Sequence, residues 1–170
     1  MKLVLLSWVL LLTWCASPTP PVPLNAAVAP DFRLQEVSGK AVALRDLRGK
    51  VVYLDFWGSW CRPCLAEAPA AADLRREFLG RDVVFLGVST DTNTDQWRQA
   101  ISKFDLAGPN SVQLLDPEGW HAARAYQVAG FPTYMIISRD GRLLSRDAPR
   151  PSDGAKTVAA LEQALAARPR

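Results

Sequence analysis

The chain has 170 residues, 49% of them hydrophobic and 22% charged, with a formal net charge of +3. This composition is that of a globular protein and excludes a disordered chain, which would be poorer in aliphatic residues and more lopsided in charge. No basic stripe or run of like charges supports nucleic acid as a partner, and three cysteines are too few for a disulfide framework.

Met1 and Lys2 open the chain with one positive charge, and residues 3–14 are almost wholly apolar. That run is well short of the ~20 residues needed to span a bilayer as a helix. A short apolar run behind a basic start is the pattern of an export signal. Cys15 follows directly, then Ala16 and Ser17. The arrangement resembles a bacterial lipoprotein signal, in which such a cysteine is lipidated, although Trp14 stands where a small residue is usual. Lipidation of Cys15, a retained short anchor and cleavage near residues 26–29 all stay open, and each places the main body outside the cytoplasm. Pro18, Pro20, Pro21, Pro23 and Pro30 make residues 16–30 an extended tether. The expected organisation is a signal or lipid-anchor signal over 1–15, a Pro-rich linker over 16–30 and one folded domain over 31–170.

That domain opens with a β-hairpin, Phe32–Gln35 and Ala41–Leu44 around the Ser38-Gly39-Lys40 turn. Val51–Trp57 is a continuous apolar run, the pattern of a strand covered on both faces and interrupted only by Asp55. One helix is predicted from the cysteine motif to about Leu79, kinked at Pro69. Val83–Val88 is a second buried strand. Thr94–Phe104 is a helix capped by Thr94 or Asp95. A short strand over Val112–Leu115, a short helix over Glu118–Tyr126 and a strand over Thr133–Ser138 follow. Asp140-Gly141 then turns the chain into Leu143-Leu144. The last helix starts near Ser152, with Val158, Leu161 and Leu165 on one face. Strands alternating with helices predict an α/β fold, a central mixed sheet covered on both faces.

Cys61-Arg62-Pro63-Cys64 follows a buried strand and opens a helix, which turns a weak spacing into a strong signal. The spacing puts both sulfurs within one helical turn. Free backbone N–H groups at a helix start stabilise a thiolate, so Cys61 is the natural nucleophile and its thiol is expected below the free value of about 8.5. Cys64, expected to be the better buried, resolves the mixed disulfide. Pro63 sits where no intrahelical hydrogen bond is lost. A structural disulfide closing so small a loop would stabilise little. A zinc site needs two more ligands than the pair provides, and only Cys15 and His121 are left to supply them. Asp55, a carboxylate in a buried strand, should titrate high and is the candidate proton acceptor for Cys64. Its competing reading is a carboxylate paired with a lysine or water. Arg62 should favour the thiolate modestly or serve partner selection. Trp57 is read as packing and Trp60 as docking surface, while Trp97 and Trp120 are read as core or surface packing and His121 as an exposed residue with nothing at catalytic spacing.

The segment Phe56-Trp57-Gly58-Ser59-Trp60-Cys61-Arg62-Pro63-Cys64, with Glu67 and Pro69, resembles the active-site segment of the TlpA/ResA-like thioredoxins. Tyr126-Gln127-Val128 with Gly130-Phe131-Pro132-Thr133 is similar to their second motif, and Ala29-Pro30-Asp31-Phe32 and Leu47-Arg48-Gly49-Lys50 also fit. The resemblance covers residues 29–168. It implies a thioredoxin fold with an N-terminal β-hairpin and an inserted element around residues 91–118. It also implies that Pro132 is cis and faces the cysteines, leaving the backbone beside Phe131 free to pair with a substrate strand. Glu67 would tune the cysteine pKa values.

The expected activity is an extracytoplasmic thiol-disulfide oxidoreductase, reducing disulfides in exported proteins, with apocytochrome c maturation among its family's roles. No cofactor is needed, since the sulfurs carry the electrons. The expected partners are a protein disulfide and a thiol electron donor at the membrane, and the expected state is a monomer associated with the membrane through its N-terminus. Two other classes compete. A peroxiredoxin-like thiol peroxidase would need a proline and a hydroxyl residue shortly before the reactive cysteine, where this chain has Trp57-Gly58-Ser59-Trp60. A copper-binding chaperone would use Cys61 and Cys64 as soft ligands but lacks a placed third ligand.

Overall fold

The structure, a computed structural model, describes residues 26–117 and 120–167. The expected signal, Cys15 and the linker as far as residue 25 lie outside the described residues.

Seven strands form one sheet: β1 (Arg33–Glu36), β2 (Ala41–Ala43), β3 (Val51–Trp57), β4 (Val83–Ser89), β5 (Ser111–Leu115), β6 (Thr133–Ile137) and β7 (Leu143–Ser145). Their order is β2-β1-β5-β4-β3-β6-β7. The centre, β5-β4-β3, is parallel. β6 and β7 add antiparallel on one side, and the β1–β2 hairpin adds antiparallel beyond β5. The helices are α1 (Arg62–Ala66), α2 (Ala68–Glu77), α3 (Thr94–Lys103), α4 (His121–Ala125) and α5 (Ala155–Ala166). The predicted insertion around residues 91–118 is α3 with β5.

Strand β3 shows why its sequence reads as one apolar run. Val52, Leu54 and Phe56 pack on one face of the sheet with Tyr126, Met135 and Leu143. Val51 and Tyr53 pack on the other with Leu74 and Phe78 near α2 and Leu161 from α5. Side chains alternate along a strand, so Asp55 belongs to the second face, beneath the helices that carry the cysteines.

Several predicted boundaries move for local reasons. The helix expected to run from the cysteines to Leu79 is two helices that meet at Glu67. Pro69, in the first turn of α2, has no N–H for the Leu65 carbonyl, so the ladder breaks there instead of bending. The cap of α3 is Asn93, not Thr94 or Asp95: its Oδ1 accepts from Asp95 N–H and Gln96 N–H, both at 3.0 Å. Helix α4 covers only His121–Ala125, and residues 118 and 119 lie outside the described residues. The last helix begins at Ala155, behind a 3-10 turn over Pro151–Asp153 and Gly154 at φ +56°, a backbone conformation open to glycine.

Residues 26–30, expected as the end of a linker, are packed on the domain. Ala29 N–H donates to Gly141 O and Leu143 N–H to Ala27 O, both at 2.9 Å. Arg142 Nη1 donates to Ala26 O at 2.9 Å, and Ala26 and Ala29 are buried.

Candidate active site

Four residues, Gly58 to Cys61, turn the chain from β3 into α1. The turn is held from the end of β4. Thr90 N–H donates to Trp57 O at 3.0 Å. Asp91, only 2% exposed, accepts from Ser59 N–H at 2.9 Å and from the hydroxyls of Ser59 and Ser89, each at 2.6 Å. A buried carboxylate is tolerated when its lone pairs are filled in this way. Gly58 leaves room for Trp60: a Cβ there would lie 2.6 Å from the indole and push that exposed ring aside. Sequence reasoning missed Asp91, because its partner Ser59 is 32 positions away.

Cys61 and Cys64 form a disulfide, with S–S 2.02 Å and Cα–Cα 5.3 Å. Cys61 is the N-cap of α1 in extended backbone, and its Sγ accepts from Cys64 N–H at 3.3 Å. Helix α1 has five residues, so the favourable field at Cys61 comes from this local N–H more than from a long macrodipole. The expectation that Cys64 is the deeper of the two does not hold in the disulfide form: Cys61 is 5% exposed and Cys64 7%. Both are packed in one cluster with Trp57, Trp97 and Leu115, against which Phe131 also lies.

An aromatic rim borders the pair. Trp60, 56% exposed, meets Phe131 edge-on at 5.4 Å, and Trp120, 40% exposed, meets it edge-on at 6.0 Å. The Phe131–Pro132 peptide bond is cis. Arg62 and Pro63 are exposed. Trp120 reads as ordinary packing in the sequence because only the fold brings it to Phe131. It is placed by buried Asp116, whose carboxylate accepts from His121 N–H at 3.1 Å and Ala122 N–H at 2.9 Å at the start of α4. His121 itself is exposed.

Beneath the disulfide, Asp55 and Cys64 line a cavity of about 40 Å³ together with Tyr53, Tyr134, Gly87 and Gln113, room enough for water. Asp55 Oδ1 is buried without a hydrogen-bond partner. Burial, followed by the charge of Glu67, pushes the Asp55 carboxyl up to about 8, because desolvation and a like charge both disfavour the anion. Glu67 is buried as well, 7% exposed. Its two oxygens accept from Ser152 N–H and Ser152 Oγ, both at 2.9 Å, which ties the α1–α2 junction to the turn before α5. Among the described residues, no three His, Cys, Asp or Glu side chains group so as to hold a metal ion.

The model of the AhpC/TSA family matches residues 25–146. The thiol-disulfide oxidoreductase ResA of Bacillus cereus is 30% identical over 118 residues, 69% of this chain and 66% of that protein. The chain thus spans just under two thirds of the length of the curated relatives it matches. A solved structure assigned as the thiol:disulfide interchange protein DsbE of Chlorobium tepidum superposes with TM-score 0.72 at 31% identity, covering 82% of this chain and 96% of that one. The thioredoxin domain of a thiol-disulfide oxidoreductase of Bacteroides vulgatus gives TM-score 0.71 at 26% identity, covering 84% and 99%. With more than half of its length inside the family match, the chain belongs to the AhpC/TSA family and carries the thioredoxin fold that its TlpA/ResA-like motifs imply.

Proposed function

We propose that the chain is an extracytoplasmic thiol-disulfide oxidoreductase that reduces disulfides in exported proteins, apocytochrome c among the candidate substrates. The observation that carries this reading is the Cys61 sulfur at the mouth of α1, receiving the Cys64 N–H, with Asp55 across a small cavity from Cys64. The names of the relatives and structural neighbours support the same chemistry.

In the reduced protein the Cys61 thiolate attacks one sulfur of a substrate disulfide, and the other substrate sulfur leaves as a thiolate. Cys64 passes its proton to the Asp55 carboxylate and attacks Cys61 Sγ. The second substrate thiolate leaves, and the Cys61–Cys64 disulfide forms. An acid held up to about 8 by burial is a stronger base for a thiol proton than an ordinary carboxylate. Two electrons from a donor dithiol at the membrane restore the reduced pair. Trp60 and Phe131 offer the substrate an apolar face, and Pro132 leaves the adjacent backbone free to pair with an extended segment. Arg62 and Pro63, exposed between the sulfurs, meet the partner. The protein acts as a monomer held at the membrane by its N-terminal segment, through a lipid on Cys15 or a retained anchor. Among the described residues, no helix is long and apolar enough to cross a membrane.

The test is a redox titration against glutathione combined with trapping by Cys64→Ser. A potential near the about −270 mV of thioredoxin, with folded exported proteins trapped as mixed disulfides, is expected. A potential near the about −120 mV of a strong oxidant, with unfolded secreted chains trapped, would reverse the direction of flow.

A further inference from the structure

Strand β5 contributes two polar residues, Ser111 and Gln113, to the cavity beneath the disulfide. Asp55 on β3 is level with Gly87 on β4, and Gly87 is level with Gln113 on β5. Level residues of neighbouring strands share a face, so only a glycine separates Gln113 from Asp55, and all three line the cavity with Cys64. The Gln113 side chain lies over the bare strand, since a Cβ on Gly87 would come within 2.2 Å of its Oε1.

The donors of the amide fix its orientation. Gln113 Nε2 donates to Leu106 O at 3.0 Å and to Ser111 Oγ at 3.2 Å. A carbonyl only accepts, so the nitrogen must occupy that end. The opposite end, Oε1, is buried without a hydrogen-bond partner, as is Asp55 Oδ1. Two orphaned oxygens on one small cavity are compatible when a proton lies between them, and a neutral carboxyl supplies it.

We propose that Gln113 is the positioning residue of the Asp55 carboxyl: its Oε1 accepts the hydrogen bond of the protonated acid across the cavity and holds that carboxyl toward Cys64. The inference rests on Asp55 being the proton acceptor of the exchange. The titratable groups around Asp55 are Tyr53, Tyr134, Cys64, Glu67 and Arg75. To these Gln113 adds an uncharged acceptor that favours the neutral form.

The test is a carbon-13 carboxyl titration of Asp55 by NMR in the full oxidised chain. Gln113→Leu should lower the Asp55 midpoint by about half a pH unit to one unit, through loss of one acceptor for the acid form. A residue that merely fills space predicts the opposite sign, because leucine makes the cavity drier and holds or raises the midpoint. An unchanged or raised midpoint overturns the proposal. Gly87→Ala, which pushes Oε1 aside and keeps the amide, should give the same fall, and it decides the matter where Gln113→Leu does not fold. Failure of the underlying reading shows elsewhere: Asp55→Asn would then release mixed disulfides at the wild-type rate, whatever Gln113 does to the midpoint.

Discussion

Asp55 is stored in the fold at a cost that depends on pH, and Asp55→Asn should remove that cost. The carboxyl titrates near about 8 in the native chain against 3.8 for a free side chain. Below pH 3.8 both native and unfolded chains hold the proton, and the group is neutral in both. Between 3.8 and about 8 the unfolded chain releases a proton that the native chain retains. Stability therefore falls as pH rises through this window, by about 1.4 kcal/mol per unit, and levels off above it. At pH 7 the accumulated loss is ~4 kcal/mol, a large share of the ~5–15 kcal/mol that holds a domain together. Urea unfolding of oxidised wild-type and D55N proteins from pH 4 to 9 reads the difference directly. The variant's advantage should be small at pH 4, reach ~4 kcal/mol at pH 7 and level off above pH 8 at ~6 kcal/mol. A stability difference that is the same at every pH would refute the reasoning, since a charge-independent effect cannot come from this proton. In the same variant, release of a trapped mixed disulfide by Cys64 should slow about 10²-fold, the usual worth of a placed base.

Glu67→Gln removes the charge that assists burial in raising Asp55, so the Asp55 midpoint should fall, read by carboxyl NMR; an unchanged midpoint would show that the Glu67 charge is not felt there. Asp91→Ala leaves three donors at Ser59 and Ser89 without their acceptor and should cost about 3 kcal/mol in urea unfolding, with a shifted reduction potential as the Gly58–Cys61 turn loosens. Trp60→Ala, at an exposed position, should change stability by less than about 0.5 kcal/mol. It should lower kcat/KM for a protein disulfide while leaving exchange with a small dithiol unchanged, as stopped-flow fluorescence would show.

The parts of the fold that the sequence announced are those whose signals are local. The buried run of β3, the strand-to-helix placement of Cys61 and the Asp140-Gly141 turn each depend on neighbours within a few positions. Asp55 stood out for the same reason, as one carboxylate inside an apolar run. The parts that escaped depend on partners far along the chain. Asp91 holds Ser59 across 32 positions, Glu67 meets Ser152 across 85, and Trp120 reaches the site only through Phe131. Gln113 looked like an ordinary strand residue until the sheet set it one glycine away from Asp55. The break at Glu67 was foreshadowed by Pro69, but whether a proline bends or severs a helix is decided by what the freed segment packs against.

The packing of residues 26–30 also fixes which end of the sheet they occupy. They lie against the turn at Gly141 and Arg142, which joins β6 to β7. Because Val52 pairs with Ile137 and Phe56 with Thr133, that turn is at the end of β3 away from Trp57. Strand β3 advances about 20 Å over its length, so residues 26–30 close the pole of the sheet remote from the dithiol, and the contacts that pin the start of the described domain are spatially separate from the redox chemistry.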